Sequence, residues 1–110
     1  MVNPLVIIVK KDGKSLRLAC DYRYLNSFTE ENIFPMPVLD EVLDRVAKGK
    51  FISIFDCRSA YWTCPMKEED QKKTAFITHC GQYEWKRMPF GLVNSGRTFV
   101  RAINIIMQPL

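Results

Sequence analysis

Asp56 closes the stretch FISIF within FISIFDCRSAYW, Phe51 to Trp62, and is the residue whose type and position could do the most chemistry. Phe51 to Phe55 is too apolar to face water along its length, so the pattern predicts a buried strand with a lone carboxylate at its tip. A carboxylate held there is a hard oxygen donor suited to a divalent cation. An aspartate that opens a tight turn after a strand looks the same in sequence. Pattern alone leaves both readings open.

Cationic groups are the second chemical resource. Lys10, Lys11, Lys14 and Arg17 fall within eight positions, and Lys72, Lys73, Lys86 and Arg87 follow later. Sixteen basic against twelve acidic residues leave a net charge of +4, compatible with a polyanionic partner and also with ordinary solvated charge. The four cysteines, Cys20, Cys57, Cys64 and Cys80, show no zinc spacing, and the single histidine, His79, adds too few groups for a metal cage. Cys20 and Cys57 lie in or beside apolar strand patterns and are predicted as reduced core thiols. That usage fits an intracellular setting, cytoplasm or nucleus. No signal peptide and no apolar run of about 18 residues is found, so no membrane partner is expected. Charged residues at 25% and hydrophobic ones at 47% fit a folded domain rather than a disordered chain.

The elements that must position these groups follow from periodicity. Leu5 to Val9 and Ser15 to Cys20 read as a hairpin pivoting on Asp12-Gly13. DYRYLN, Asp21 to Asn26, has turn and short-helix character. Pro37 suits the first turn of a helix carrying Leu39, Val42, Leu43, Val46 and Ala47 on one stripe, with Gly49 as its stop. Asp40, Glu41 and Asp44 lie on its other, solvated face. After the Phe51–Asp56 strand, Tyr61 to Met66 reads as a short edge strand because of Pro65. KEEDQKK is a polar connection. Thr74 to Thr78 and Gln82 to Met88 flank Gly81 as a second hairpin, and Asn94 or Ser95 can cap a last helix with Phe99, Ala102, Ile103 and Ile106 on one stripe. The order β-β-α-β-β-β-β-α indicates an α+β fold.

Four segments, KKDGKSLRLACDYRYLN, FPMPVLDEVLDRVAKGKFISIFDCRSAYW, EEDQKKTAFITHCGQYEWKRMPFGL and VNSGRTFVRAIN, agree in order, spacing and residue type with one family. Together they resemble the fingers and first half of the palm of a reverse transcriptase, above all those in Pol polyproteins of gypsy-type long-terminal-repeat retrotransposons. The resemblance runs from about residue 4 to residue 108. It implies a partial right-hand polymerase fold over residues 1–110, fingers-like at about 1–50 and 62–90 and palm-like at about 51–61 and 91–110.

The resemblance also implies roles. In such polymerases two magnesium ions activate the primer 3′-hydroxyl and stabilise the leaving pyrophosphate. Asp56 matches the first catalytic aspartate, and Cys57 and Arg58 match positions whose backbone approaches the metal and the incoming triphosphate. Tyr61 matches an aromatic steric gate that would collide with a 2′-hydroxyl and so favour deoxynucleotides. Its plain alternative is a core tyrosine. Lys10 and Arg17 match the fingers cations that grip the triphosphate. Phe90 and Gly91 match the loop that packs against the nucleotide, where glycine lets the backbone come close. The implied partners are an RNA or DNA template-primer, a deoxynucleoside triphosphate and the remainder of a Pol polyprotein.

The pattern departs from the family in one large respect. The YxDD hairpin that supplies the partner carboxylates does not occur among these residues, and the strongly apolar last helix suggests a truncated domain. The expectation is therefore a polymerase fragment, inactive alone, with no magnesium stably held. The competing reading is a catalytically dead relic or domesticated fragment with at most weak nucleic-acid binding, and a third is a fragment left unstable by open strand edges. Ala60 stands where the family has glycine, which a negative φ would tolerate. Arg97 replaces a small residue, at a cost on the order of several kcal/mol if the guanidinium were buried unpaired.

Overall fold

A computed structural model of the chain describes residues 1–109, so Leu110 lies outside the described residues. β1 (Leu5–Val9) pairs antiparallel with β2 (Leu16–Cys20), with Ile7 opposite Leu18 and Ile8 opposite Arg17. Their turn is built by Asp12, whose carboxylate accepts from the Lys14 and Ser15 amides at 2.9 and 2.8 Å and from Ser15 Oγ at 2.6 Å. Gly13 takes the left-handed φ of 69° that the turn requires. The Ser15 hydroxyl, then the Ser15 and Lys14 amides, hold the Asp12 carboxyl down at about 2.

α1 (Arg23–Ser27) follows at once, and α2 spans Leu39–Ala47. A left-handed turn at Ser59, φ 51°, leads into a 3-10 turn over Ala60–Thr63. α3 (Glu68–Gln71) runs into a second 3-10 turn, Lys72–Thr74. β3 (Phe76–Thr78) and β4 (Gly81–Tyr83) form the second hairpin, and α4 (Ser95–Ile106) ends the order. No helix among the described residues is long and apolar enough to cross a membrane.

The core is small and lies where the two hairpins meet. Cys20, Tyr22 and Leu25 are buried, with Leu5, Phe76, Trp85 and Leu92 packed against them. Long-range polar bonds fasten the same place. Asn3 Nδ2 donates to the carbonyls of Lys73 and Ala75 at 3.0 and 2.9 Å, and the Asn3 amide donates to the same Ala75 oxygen at 2.8 Å. Thr74, fully buried, accepts from the Trp85 amide at 2.9 Å through its hydroxyl and from the Tyr22 hydroxyl at 3.2 Å through its carbonyl. A buried threonine so saturated loses nothing by leaving water.

Tyr22 carries a pH consequence. Burial first, then the neighbouring Cys20 thiol, pushes its hydroxyl far above the ordinary tyrosine range. A raised folded-state pKa stabilises the fold fully below the unfolded value of about 10 and ceases to do so as pH rises past it, because only the unfolded chain then ionises. The wild type should therefore lose stability above about pH 10 more steeply than Tyr22→Phe does. Denaturant titrations of both at neutral and alkaline pH measure the two slopes, and equal slopes would refute the effect.

Several expected elements take a different form. Phe51 to Asp56 is neither a regular strand nor buried. Phe51, Ile54 and Phe55 are 97%, 91% and 85% exposed, and every residue from 35 to 59 is exposed. An apolar run becomes a strand only where a neighbouring ladder satisfies its backbone, and among the described residues none pairs with it. Cys57 is consequently exposed, while Cys20 is buried as expected. The apolar stripe of α2 is likewise uncovered, and Pro37 sits just outside the helix, whose N-cap is Val38. Tyr61 to Met66 forms the 3-10 turn and a single bridge from Pro65 to Arg87 rather than a strand. The polar connection after Met66 winds into α3. The α+β class stands, with the order β-β-α-α-α-β-β-α.

Candidate functional site

β2 points Arg17 across the molecule onto the loop that follows β4. Its guanidinium carbon lies 5.5 Å from the centroid of the Phe90 ring, within cation–π range. Arg17 also lines an open groove of about 510 Å³ together with Ile8, Val9, Lys10, Lys11 and Asp12. The hairpin register thus places Lys10 and Arg17 on one cavity, because Lys10 sits one residue beyond β1 and its amide donates to Ser15 at 2.8 Å.

Phe90 is also the hub of an aromatic cluster. Tyr61 leans on it with ring centroids 5.1 Å apart and meets Phe99 of α4 edge-on at 5.8 Å. Trp62 touches Phe90 at 6.2 Å and stacks on Trp85 at 6.0 Å. Such aromatic pairs add specific geometry to plain area burial, so the cluster fixes the 3-10 turn, the Phe90 loop and α4 against one another. Tyr61 is therefore at once a packed tyrosine and a neighbour of the groove-lining Arg17, through Phe90.

Gly91 adopts φ 93°, a conformation closed to most side chains. A Cβ there would lie 3.5 Å from the Tyr22 ring and 3.6 Å from the Cys20 carbonyl. The loop thus passes its backbone directly over the core.

The structure brings Arg17, Tyr61, Phe90 and Gly91 together and sets Lys10 on the same groove as Arg17. Asp56, Cys57 and Arg58 are exposed on the irregular segment before the Ser59 turn. Among the described residues no group of three His, Cys, Asp or Glu side chains could hold a metal ion. Ala60 avoids the left-handed region, which falls on Ser59 instead. Arg97 is paired, donating to Glu31 Oε2 at 3.0 Å and to the Asn32 carbonyl at 3.1 Å. Sequence reading missed Trp62, Phe99 and Asn26 as parts of this site. Adjacency to Tyr61 was a signal for Trp62; only tertiary contact reveals the others.

The description "Reverse transcriptase (RNA-dependent DNA polymerase)" belongs to a family model that matches residues 8–110, nearly the whole chain. This chain belongs to the reverse transcriptase family. Among relatives of this reverse transcriptase domain, the Retrovirus-related Pol polyprotein from transposon 297 of Drosophila melanogaster is 38% identical over 112 residues, covering 98% of the chain and 11% of the polyprotein. The corresponding polyprotein from transposon gypsy of the same species is 37% identical over 92 residues, covering 84% of the chain and 9% of the relative. A crystal structure of prototype foamy virus protease–reverse transcriptase superposes with a TM-score of 0.77 at 26% identity, over 98% of this chain and 14% of that one. The chain therefore spans about a tenth of the polyproteins it matches.

Proposed function

We propose that this chain forms the nucleotide-gripping part of a retrotransposon RNA-directed DNA polymerase, and that it does not extend a primer by itself. Residues at about 1–50 and 62–90 serve as fingers, and those at about 51–61 and 91–110 as the start of a palm. The observation that carries this reading is the convergence of Arg17, Tyr61, Phe90 and Gly91 from three distant segments around one ring, Phe90.

In this reading Lys10 and Arg17 meet the triphosphate from the groove, the lysine as a mobile point charge and the arginine as a planar fork. Tyr61, wedged between Phe90 and Phe99, is held rigidly enough to reject a sugar bearing a 2′-hydroxyl. The Phe90–Gly91 backbone and ring form the wall behind the base, and the Cys57 and Arg58 backbone approaches the phosphates. The basic hairpin and the cluster of Lys86 and Arg87 attract the template-primer electrostatically. Asp56 is a single exposed carboxylate, and the residues present do not fit two magnesium ions. The remaining carboxylates, and the strands that would cover Phe51 to Phe55, belong in this reading to other parts of the Pol polyprotein, working in the cytoplasm or nucleus.

Incubating the purified chain with primer–template, magnesium and all four deoxynucleoside triphosphates should yield no extension. Robust extension that Asp56→Asn abolishes would overturn the claim of inactivity. Affinity for the same primer–template should fall with a log–log salt slope of about −3, as for three or four phosphate contacts at about −0.9 each. A slope near zero would contradict an electrostatic contact with the primer–template.

A further inference from the structure

The turn from Pro89 to Asn94 carries Phe90 and Gly91 yet has no regular structure of its own, so something else must fix its backbone. Asn26, in the last turn of α1, does this with both ends of its amide. Its Nδ2 donates to the Gly91 carbonyl at 2.8 Å, and its Oδ1 accepts from the Val93 amide at 2.9 Å. A neighbouring strand would offer the same pair of bonds, so one side chain replaces a ladder rung. The helix that carries it is pinned in the core by Leu25 and the adjoining Tyr22. Farther along the loop, Asn94 repeats the device in the opposite direction, donating to the Glu30 carbonyl at 2.9 Å and accepting from the Asn32 amide at 2.7 Å.

We infer that Asn26 is the positioning residue of the Phe90–Gly91 loop. It sets where the Phe90 ring stands beneath Arg17 and against Tyr61, without itself touching a nucleotide. The functional half of this statement rests on the proposal that the loop faces the incoming nucleotide. The chemistry of the site is narrow. Aspartate keeps the acceptor, loses the donor and sets a carboxylate against the Gly91 oxygen, and alanine loses both bonds.

The two variants separate the bond from the fold. At about pH 7 Asn26→Asp should release the loop, shifting the fluorescence of Trp62, which rests on Phe90; acidification to about pH 4 protonates the new carboxyl, restores a donor and returns the signal toward wild type. Wild type and Asn26→Ala, titrated in parallel, subtract whatever the carboxylates already present contribute, Glu30 and Glu31 beside Asn94 and Arg97 and Glu84 beside Trp85 among them, and should show no such recovery. An Asn26→Asp signal that runs parallel to wild type at every pH overturns the clamp, and this test stands even if Asn26→Ala fails to fold.

At neutral pH both variants should bind a deoxynucleoside triphosphate about tenfold more weakly while primer–template affinity changes less than about twofold. Equal losses of both, or no loss of either, would refute a positioning role. If wild type itself binds no deoxynucleoside triphosphate, the functional half falls with the nucleotide-site proposal; acid recovery in Asn26→Asp would still uphold the clamp.

Discussion

Tyr22→Ala should cost about 3–5 kcal/mol of folding free energy, the range for removing a large ring from a packed core. Small domains have about 5–15 kcal/mol in total. Here the reserve is small, because the buried core comprises few residues and residues 35 to 59, the α2 stripe and FISIF included, contribute nothing buried. Tyr22 is only 2% exposed and joins three parts of the chain. Its ring lies beneath Gly91, its hydroxyl bonds the Thr74 carbonyl, and it packs with Cys20 and Leu25. The variant should therefore be mostly unfolded at room temperature, whereas Tyr22→Phe keeps the ring and loses about 1 kcal/mol for the bond. Urea titration followed by tryptophan fluorescence reads both. A Tyr22→Ala midpoint equal to that of wild type would mean that the core is organised elsewhere.

Arg17→Ala should weaken binding of a deoxynucleoside triphosphate by about 10- to 100-fold with little change in stability. A hydrogen bond to a charged group contributes about 1.5–3 kcal/mol, and every 1.4 kcal/mol is tenfold. Arg17 is exposed on β2, so its removal opens no cavity. It is also held ready: the Phe90 ring beneath its guanidinium restricts an otherwise flexible side chain to the edge of the groove shared with Lys10. Arg17→Lys keeps the charge and loses both the planar fork and the stacking, so an intermediate loss is expected. Binding titrations of the three proteins decide the matter. Unchanged affinity in Arg17→Ala would remove the groove from the nucleotide site.

Local chemistry was legible wherever it depended on neighbours in sequence. The Asp12-Gly13 hairpin, the short helix in DYRYLN and the helices that carry the α2 and α4 stripes formed where their residues indicated. The second hairpin is shorter than expected, Phe76–Thr78 with Gly81–Tyr83, because Thr74 enters a 3-10 turn and residues 84–88 leave the ladder. Asn94 shows the limit of such reasoning. It stands at the N-cap of α4 as expected, but its side chain makes no cap bond and spans to Glu30 and Asn32 instead. Cap propensity gave the position; a distant loop took the hydrogen bonds.

The candidate site divides along the same line. Residue type, order and spacing were enough for the resemblance to the family and for the α+β class, and that resemblance marked Asp56, Tyr61, Arg17, Phe90 and Gly91 as candidate positions. Only the tertiary structure decided which of them meet. Phe90 gathers Tyr61 and Arg17 because Asn26 and Tyr22, more than sixty residues away in sequence, hold its loop. Asp56 stays exposed because FISIF lacks a paired strand among the described residues. An apolar run records what it would bury, but burial is a property of two surfaces, and its sequence encodes one.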